Sequence, residues 1–389
     1  MKRILTIALL FALSLAGMSN ASAALDSVDI LIKALVDKQI ITEDDASAVR
    51  SEIAAIRQDE EAAKKSYNVT GKRPVKLGGY VQTRYTSSPK AVGADTFEAK
   101  RVRLTLSGDV TPSVDFKVQV DFAGSRSGLK SAKIGPDGKL VTSSANFAKP
   151  LLLDAVFGYK LQGTNKLSIG QFKVPFGLEN LTSSTNLDTI NRSQVTETLV
   201  PGRDVGIQVN GIRELNKYGS SQVEYALGVF NGSGINVADD NDRKDIAARA
   251  VWKPGINGLS IGLAAYNGSL GTTNIAHNRT GAELIYTFAP WTLKSEYIWA
   301  KDGSVRKNGW YATAVRQINE LTQAVVRYDN LNPDTRSVKD ASTNSLTLGI
   351  NRFLNKDGYT RWQLNYEIKG EKGTAILNNL LTAQFQAGF

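Results

Sequence analysis

From Leu381 to Phe389, the side chains Leu381, Ala383, Phe385, Ala387 and Phe389 fall on one side of a strand, opposite Thr382, Gln384, Gln386 and Gly388. A period of two with one oily and one wet face is what a strand needs when lipid lies on one side and water on the other. A lone strand cannot cross a bilayer, because its backbone N–H and C=O groups find no partner in hydrocarbon. Closure into a barrel supplies those partners. The carboxyl-terminal aromatic, Phe389, resembles the export signal that outer-membrane barrels present to their assembly machinery.

The amino end agrees. Lys2 and Arg3 precede an apolar stretch from Ile4 to Ala16 and the small-x-small site Ala21-Ser22-Ala23, which reads as a secretory signal peptide over residues 1–23. Beyond it no apolar run of about 18 residues occurs, so helical spans are excluded and a barrel is the remaining membrane solution. The absence of cysteine removes thiolate metal sites and thiol nucleophiles. Net charge is +10, and +8 once Lys2 and Arg3 are cleaved, with 45 basic residues left against 37 acidic. An exported chain meets no nucleic acid, so the excess points instead to anions drawn into a water-filled bore.

Residues 24–67 contain no glycine or proline and are rich in Ala, Ile, Leu and charge. Val28, Ile32, Leu35 and Val36 form one stripe, and Thr42-Glu43-Asp44-Asp45 resembles a capping box that opens a second helix with Ala46, Val49, Ile53 and Ile56 on one face. This spacing predicts a periplasmic helical segment and permits a short coiled coil. Residues 68–74 read as a linker. From 75 to 389 the texture becomes short alternating segments of about ten residues, separated by Gly, Asn, Asp and Pro, and sixteen of them are counted. Connections alternate between turns such as Ala289-Pro290 and long segments such as Lys173 to Arg203. The expected fold is therefore all-β, a 16-stranded antiparallel transmembrane barrel in the outer membrane of a Gram-negative-type bacterium, with its helical leader in the periplasm.

Strand phase assigns the charges. Val102, Leu104 and Leu106 face lipid, so Arg101 and Arg103 face water; a lipid-facing Arg at mid-bilayer would cost about 2–4 kcal/mol. The same rule puts Lys76, Arg84, Lys117, Arg249, Lys294, Arg327 and Arg361 inside, and leaves Arg316 ambiguous. Asp115, Asp121, Asp154, Asp204, Glu224, Glu283, Glu296 and Glu367 share that interior, so cross-strand pairing competes with solute binding as a role for each base. Arg84, Arg101 and Arg103 are expected to form an unbalanced basic group, with Glu98 as the only acid nearby. The stretch 173–203 exceeds the length of an idle loop and has the composition to fold inward, which would set Arg192 at a constriction. Arg126, Lys130, Lys133, Lys139 and Lys149 oppose only Asp137 on the segment 123–150, an expected external funnel for anions.

The segment Gly170-Gln-Phe-Lys-Val-Pro-Phe-Gly-Leu-Glu179, with Thr189-Ile-Asn-Arg-Ser193, Pro201-Gly-Arg-Asp204 and Lys100-Arg-Val-Arg-Leu-Thr-Leu-Ser-Gly108, resembles the phosphate-selective porin O and P family. The resemblance implies a homotrimeric sixteen-stranded barrel with a loop folded into the pore and an arginine ladder down its wall. External lysines would collect anions. By motif, Arg101 and Arg103 resemble ladder members and Arg192 the basic residue of the constriction loop. The family commonly has an acid before that Arg-Ser pair and an aromatic upstream, where this chain has Asn191 and Thr189. Phosphate selectivity and a general anion or mixed pore both stay open, as do a carbohydrate or organic-acid channel and a plugged structural or adhesive barrel.

No catalytic constellation competes with these readings. His277 is the only histidine and falls in an expected external loop, so no Ser-His-acid triad can be assembled away from it. Asp239-Asp-Asn-Asp242 lacks the spacing and glycine of a calcium loop and reads as a solvated tip. No enzyme activity, metal or cofactor is expected; the partners expected are small anions, phosphate among them, outer-membrane lipid and the barrel assembly machinery.

Overall fold

The computed structural model describes residues 36–38, 46, 74–88, 95–124, 131–134, 140–143, 152–216, 220–338, 340–356, 358–372 and 378–389. Met1–Asn68 and Val69–Phe389 are separate compact units. In the first, Val36, Asp37 and Ala46 are helical. The signal peptide expected at 1–23, the rest of the coiled-coil-type leader at 24–67 and the linker up to residue 73 lie outside the described residues. Among the described residues no helix is long and apolar enough to cross a membrane.

The second unit opens with β1 (Val75–Ser87), β2 (Thr96–Thr111) and β3 (Val114–Asp121), followed by a small hairpin of β4 (Ser131–Ile134) and β5 (Leu140–Ser143). Then come β6 (Leu152–Lys160), β7 (Lys166–Lys173), the short helices α1 (Leu178–Leu181) and α2 (Gln194–Leu199), β8 (Arg203–Glu214), β9 (Gln222–Phe230) and β10 (Asp245–Lys253). The chain finishes with β11 (Leu259–Leu270), β12 (Ile275–Phe288), β13 (Trp291–Asp302), β14 (Val305–Asn319), β15 (Thr322–Asn332), β16 (Thr343–Phe353), β17 (Arg361–Glu371) and β18 (Leu380–Gly388).

Sixteen of these strands close into one antiparallel barrel, with β4 and β5 apart as a two-stranded sheet. The seam is β1, which pairs with β2 and with β18; Tyr80 lies opposite Arg103 on one side and Gly388 on the other. Phe389 extends that seam, its N–H donating to Gly79 O and its O accepting from Gly79 N–H, both at 3.0 Å. The parity expected from sequence governs the wall: Leu263 is 65% exposed to the lipid side, whereas the next residue, Ala264, is 7% exposed. All five tryptophans are exposed on the outer face, where amphipathic rings suit the membrane boundary.

Several strands outrun their expected limits. β12 begins at Ile275 rather than near 280, and β14 runs from Val305 to Asn319 rather than from 310 to 316. Above the apolar band both faces of a strand meet water, so the alternation that marks it in sequence fades while the backbone pairing continues. His277 is accordingly on β12, not in an external loop, with its Nδ1 2.8 Å from Asp302 Oδ1.

Candidate functional site

The wall is interrupted where β7 ends. Gly170, near that end, has φ +130°, and a Cβ there would sit 2.1 Å from Ala155 O, so only glycine fits. Gly177 (φ +84°) then caps α1. The chain from Val174 to Gly202 leaves the wall and packs against its inner face. Val174, Phe176, Val195 and Leu199 pack on the inner-wall residues Phe230, Ala247, Ala264, Tyr266, Ile298, Ala300, Tyr311 and Leu331 in one apolar cluster. Burying such side chains contributes about 1.5–3 kcal/mol each, which sets the loop against the β9–β15 side of the wall.

Polar contacts fix the loop's inner course. Glu179 Oε2 accepts from Ser193 N–H (2.7 Å) and Thr196 Oγ1 (3.1 Å), joining α1 to α2, and Ser193 Oγ caps α2 through Thr196 N–H (3.1 Å). Across the bore, Gln82 on β1 donates to Ser184 O (3.1 Å) and Gln386 on β18 to Thr185 O (3.3 Å). Arg361 on β17 donates to Thr185 O and Leu187 O (2.7 and 3.0 Å), and Lys294 on β13 pairs with Asp188 (2.7 Å). The loop is thus tied to opposite sides of the barrel.

The inward bases divide by what they touch. Arg84 pairs with Glu98 (2.5 Å) and donates to Asn191 Oδ1; Arg103 pairs with Asp121 (2.8 Å) and reaches Ser184 Oγ. The expectation of an unbalanced Arg84–Arg101–Arg103 group is therefore corrected: two of its three members are neutralised by wall carboxylates in cross-strand register. Lys117 pairs with Asp154, Arg249 with Glu283, and Arg327, 2% exposed, with both Glu179 and Asp329. Lys76 is exposed and makes no ion pair among the described residues. Arg316 faces outward, its guanidinium 5.5 Å from the Trp291 ring centroid.

A second set of cations has hydrogen bonds but no carboxylate within ion-pair distance among the described residues. Arg101 donates to Gln82 Oε1 (2.8 Å). Arg192 donates to Glu179 O and Thr182 O (2.8 and 3.0 Å), and Arg361 to the two loop carbonyls named above. Lys173 donates to Asn180 O, Leu181 O and Thr182 O (2.5, 3.3 and 3.1 Å). A carbonyl dipole satisfies the donor without adding a counter-charge, so among the described residues no adjacent carboxylate cancels the positive charge at these four positions. Burial lowers the pKa of Arg192 from its ordinary value, with Glu197 and Glu179 opposing that shift.

Sequence reasoning missed Lys173 and Arg203. The sequence reading places Lys173 at the start of the loop and Arg203, which pairs with Asp154 (2.7 Å), at its end. The structure sets them opposite each other at the β7–β8 mouth, with Lys173 and Arg203 in register. Both line a cavity of about 300 Å³ with Arg103, Lys117, Asp154 and Ser184, in which four bases meet one acid. A second cavity, about 250 Å³, is bordered by Arg192, Arg327, Asp329, Glu367, Lys369 and Glu371 and is balanced in sign. Of the expected funnel, Arg126, Lys130 and Lys139 lie outside the described residues, and for Lys133 only the backbone, on β4, is described. Asp239 pairs with Lys244, and no cluster of metal-ligating side chains exists among the described residues.

The model of the family described as phosphate-selective porin O and P matches residues 75–276, just over half of the chain. No curated protein sequence matches significantly. Among solved structures, the anion-selective porin from Comamonas acidovorans is similar at TM-score 0.55 and 15% identity, covering 82% of this chain and 100% of that one. A Salmonella typhi OmpF complex with daunomycin is similar at TM-score 0.57 and 9% identity, covering 82% and 98%. The trimer form of in-vitro folded OmpT of Vibrio cholerae is similar at TM-score 0.50 and 13% identity, covering 82% and 99%. At these identities the likeness is one of fold.

Proposed function

This chain belongs to the phosphate-selective porin O and P family, and on that premise we propose that it is a passive channel for small anions, phosphate among them. It is an outer-membrane porin, and no bond is made or broken in the passage. The observation that carries the anion reading is the set of Arg101, Lys173, Arg192 and Arg361, whose charges are held by carbonyl and amide oxygens. An anion passing the loop meets cations already positioned and only partly hydrated, so little reorganisation is needed to bind it.

The cavity lined by Arg103, Lys117, Lys173 and Arg203, to which Ser184 adds a hydroxyl, supports phosphate as a solute because four bases there meet one acid. The family resemblance supports a homotrimer, and Phe389 supports delivery by the barrel assembly machinery. Planar-bilayer recordings test the reading. A potassium chloride gradient should give a zero-current potential of the sign for chloride preference, and phosphate added at low millimolar concentration should block chloride current. Cation preference overturns the anion reading. Chloride preference without phosphate block leaves a general anion pore.

A further inference from the structure

One cationic pair lies outside the bore. In the β13–β14 hairpin, Lys301 stands directly opposite Arg306, with Trp299 opposite Asn308 one step below and Tyr297 opposite Trp310 another step below. Lys301 shares its face with Trp299, and Arg306 with Trp310; all four are exposed, on the lipid side of the wall. Like charges in direct cross-strand register repel, and among the described residues no carboxylate relieves them. The adjacent carboxylate, Asp302, points into the barrel, where Arg279 (2.8 Å) and Lys307 (2.7 Å) hold it. Neither Lys301 nor Arg306 has an ion-pair partner among the described residues. Asp334, on the loop whose Thr335 N–H donates to Arg306 O, caps Arg336 N–H instead.

The depth of the pair follows from the aromatic belt. Trp291 and Trp299 lie on the same face of β13, eight residues apart. At about 3.4 Å per residue and a tilt of about 40°, that spans about 21 Å along the membrane normal, close to the apolar band of such barrels. The rings of Tyr297 and Trp299 meet at a tilt with centroids 4.2 Å apart, and those of Trp310 and Tyr328 at 5.4 Å, forming the upper edge of that band. Lys301 and Arg306 come one step above it, at the end of β13 opposite the Ala289-Pro290 turn. That is the level of lipid headgroups.

We propose that Lys301 and Arg306 form a clamp for the phosphate of an anionic, phosphorylated lipid in the outer leaflet. A phosphate between an ammonium and a guanidinium cancels the repulsion and accepts from both, while the acyl chains lie along Trp299 and Trp310. The occupant is the membrane's own lipid and not soluble phosphate, because the pair faces away from the bore and sits directly on the aromatic edge.

Native mass spectrometry of the full-length porin, refolded and titrated with diphosphorylated lipid A, tests this. Wild type should retain the lipid, and K301Q/R306Q should retain about tenfold less at the same concentration. Unchanged single-channel conductance in the variant shows that the barrel is folded, and K301R should keep binding. Equal retention by wild type and K301Q/R306Q overturns the clamp, as does equal retention of lipid A stripped of its phosphates. Loss of subunit association in the variant with lipid retention unchanged also overturns it, by assigning the pair to contact with a second copy.

Discussion

On the arc from β17 through β18, β1, β2, β3 and β6 to β7, Arg361, Arg101 and Lys173 give their hydrogen bonds to carbonyl and amide oxygens. On the arc from β8 to β13, Asp204, Asp245 and Glu296 take theirs from N–H and O–H groups. Gly232 N–H serves Asp204, Ser269 N–H and Tyr266 serve Asp245, and Leu178 N–H and Tyr311 serve Glu296. Charged groups held by dipoles have no adjacent counter-charge, whereas ions in pairs cancel. Burying an ion without a counter-ion is unfavourable for stability, so the retention of such bases on the first arc fits a field in the bore, although Glu367 on β17, held by Asn191 Nδ2 at 3.2 Å, is an acid of the same kind there. Neutralised pairs such as Arg84 with Glu98 brace the wall and add little to that field.

The sharpest way to break this contrast is to reverse its positive side. K173E with R192E should change the sign of the zero-current potential in a potassium chloride gradient, a swing of more than about tenfold in the permeability ratio. Persistent chloride preference would assign the field to other residues. Next in size is G170A, which forces a side chain into φ +130° and against Ala155 O. It should cost about 1–3 kcal/mol or more and lower the urea midpoint, whereas G202A, with nothing within 4 Å of a new Cβ, should leave that midpoint in place.

A smaller effect separates dipole-held from paired cations. K173Q should reduce chloride preference about two- to fivefold, while R84Q/E98Q, which removes a whole pair, should leave the reversal potential unchanged. Equal effects would erase the distinction. The smallest expected change comes from the other arc: D245N should raise chloride preference less than about twofold, since its carboxylate lies at 0% exposure behind Tyr266.

The strands were legible because lipid imposes a strict alternation, and all sixteen wall strands coincide with segments read from sequence. The length of the segment between β7 and β8 marks it in sequence as more than a turn. Neutralisation was not legible, because it depends on register between strands and on side-chain reach: Arg84 meets Glu98 only past a shift in β1–β2 pairing after Gln82. Lys173 escaped notice for a related reason. Phe172 and Lys173 both line the same cavity, so the parity rule fails where the chain leaves the wall. The helices α1 and α2 are 4 and 6 residues long, too short for any periodicity to reveal.

The tethers of the inward loop carry a consequence for how such a pore can change. Lys173 and Arg361 anchor the loop through its carbonyls, and those same ammonium and guanidinium groups supply the attraction for solute. Aperture and polarity are therefore not independent variables in this channel. A lineage or an engineer that shortens the loop to admit larger cargo also releases these cations into bulk water, and selectivity is diluted in the same stroke.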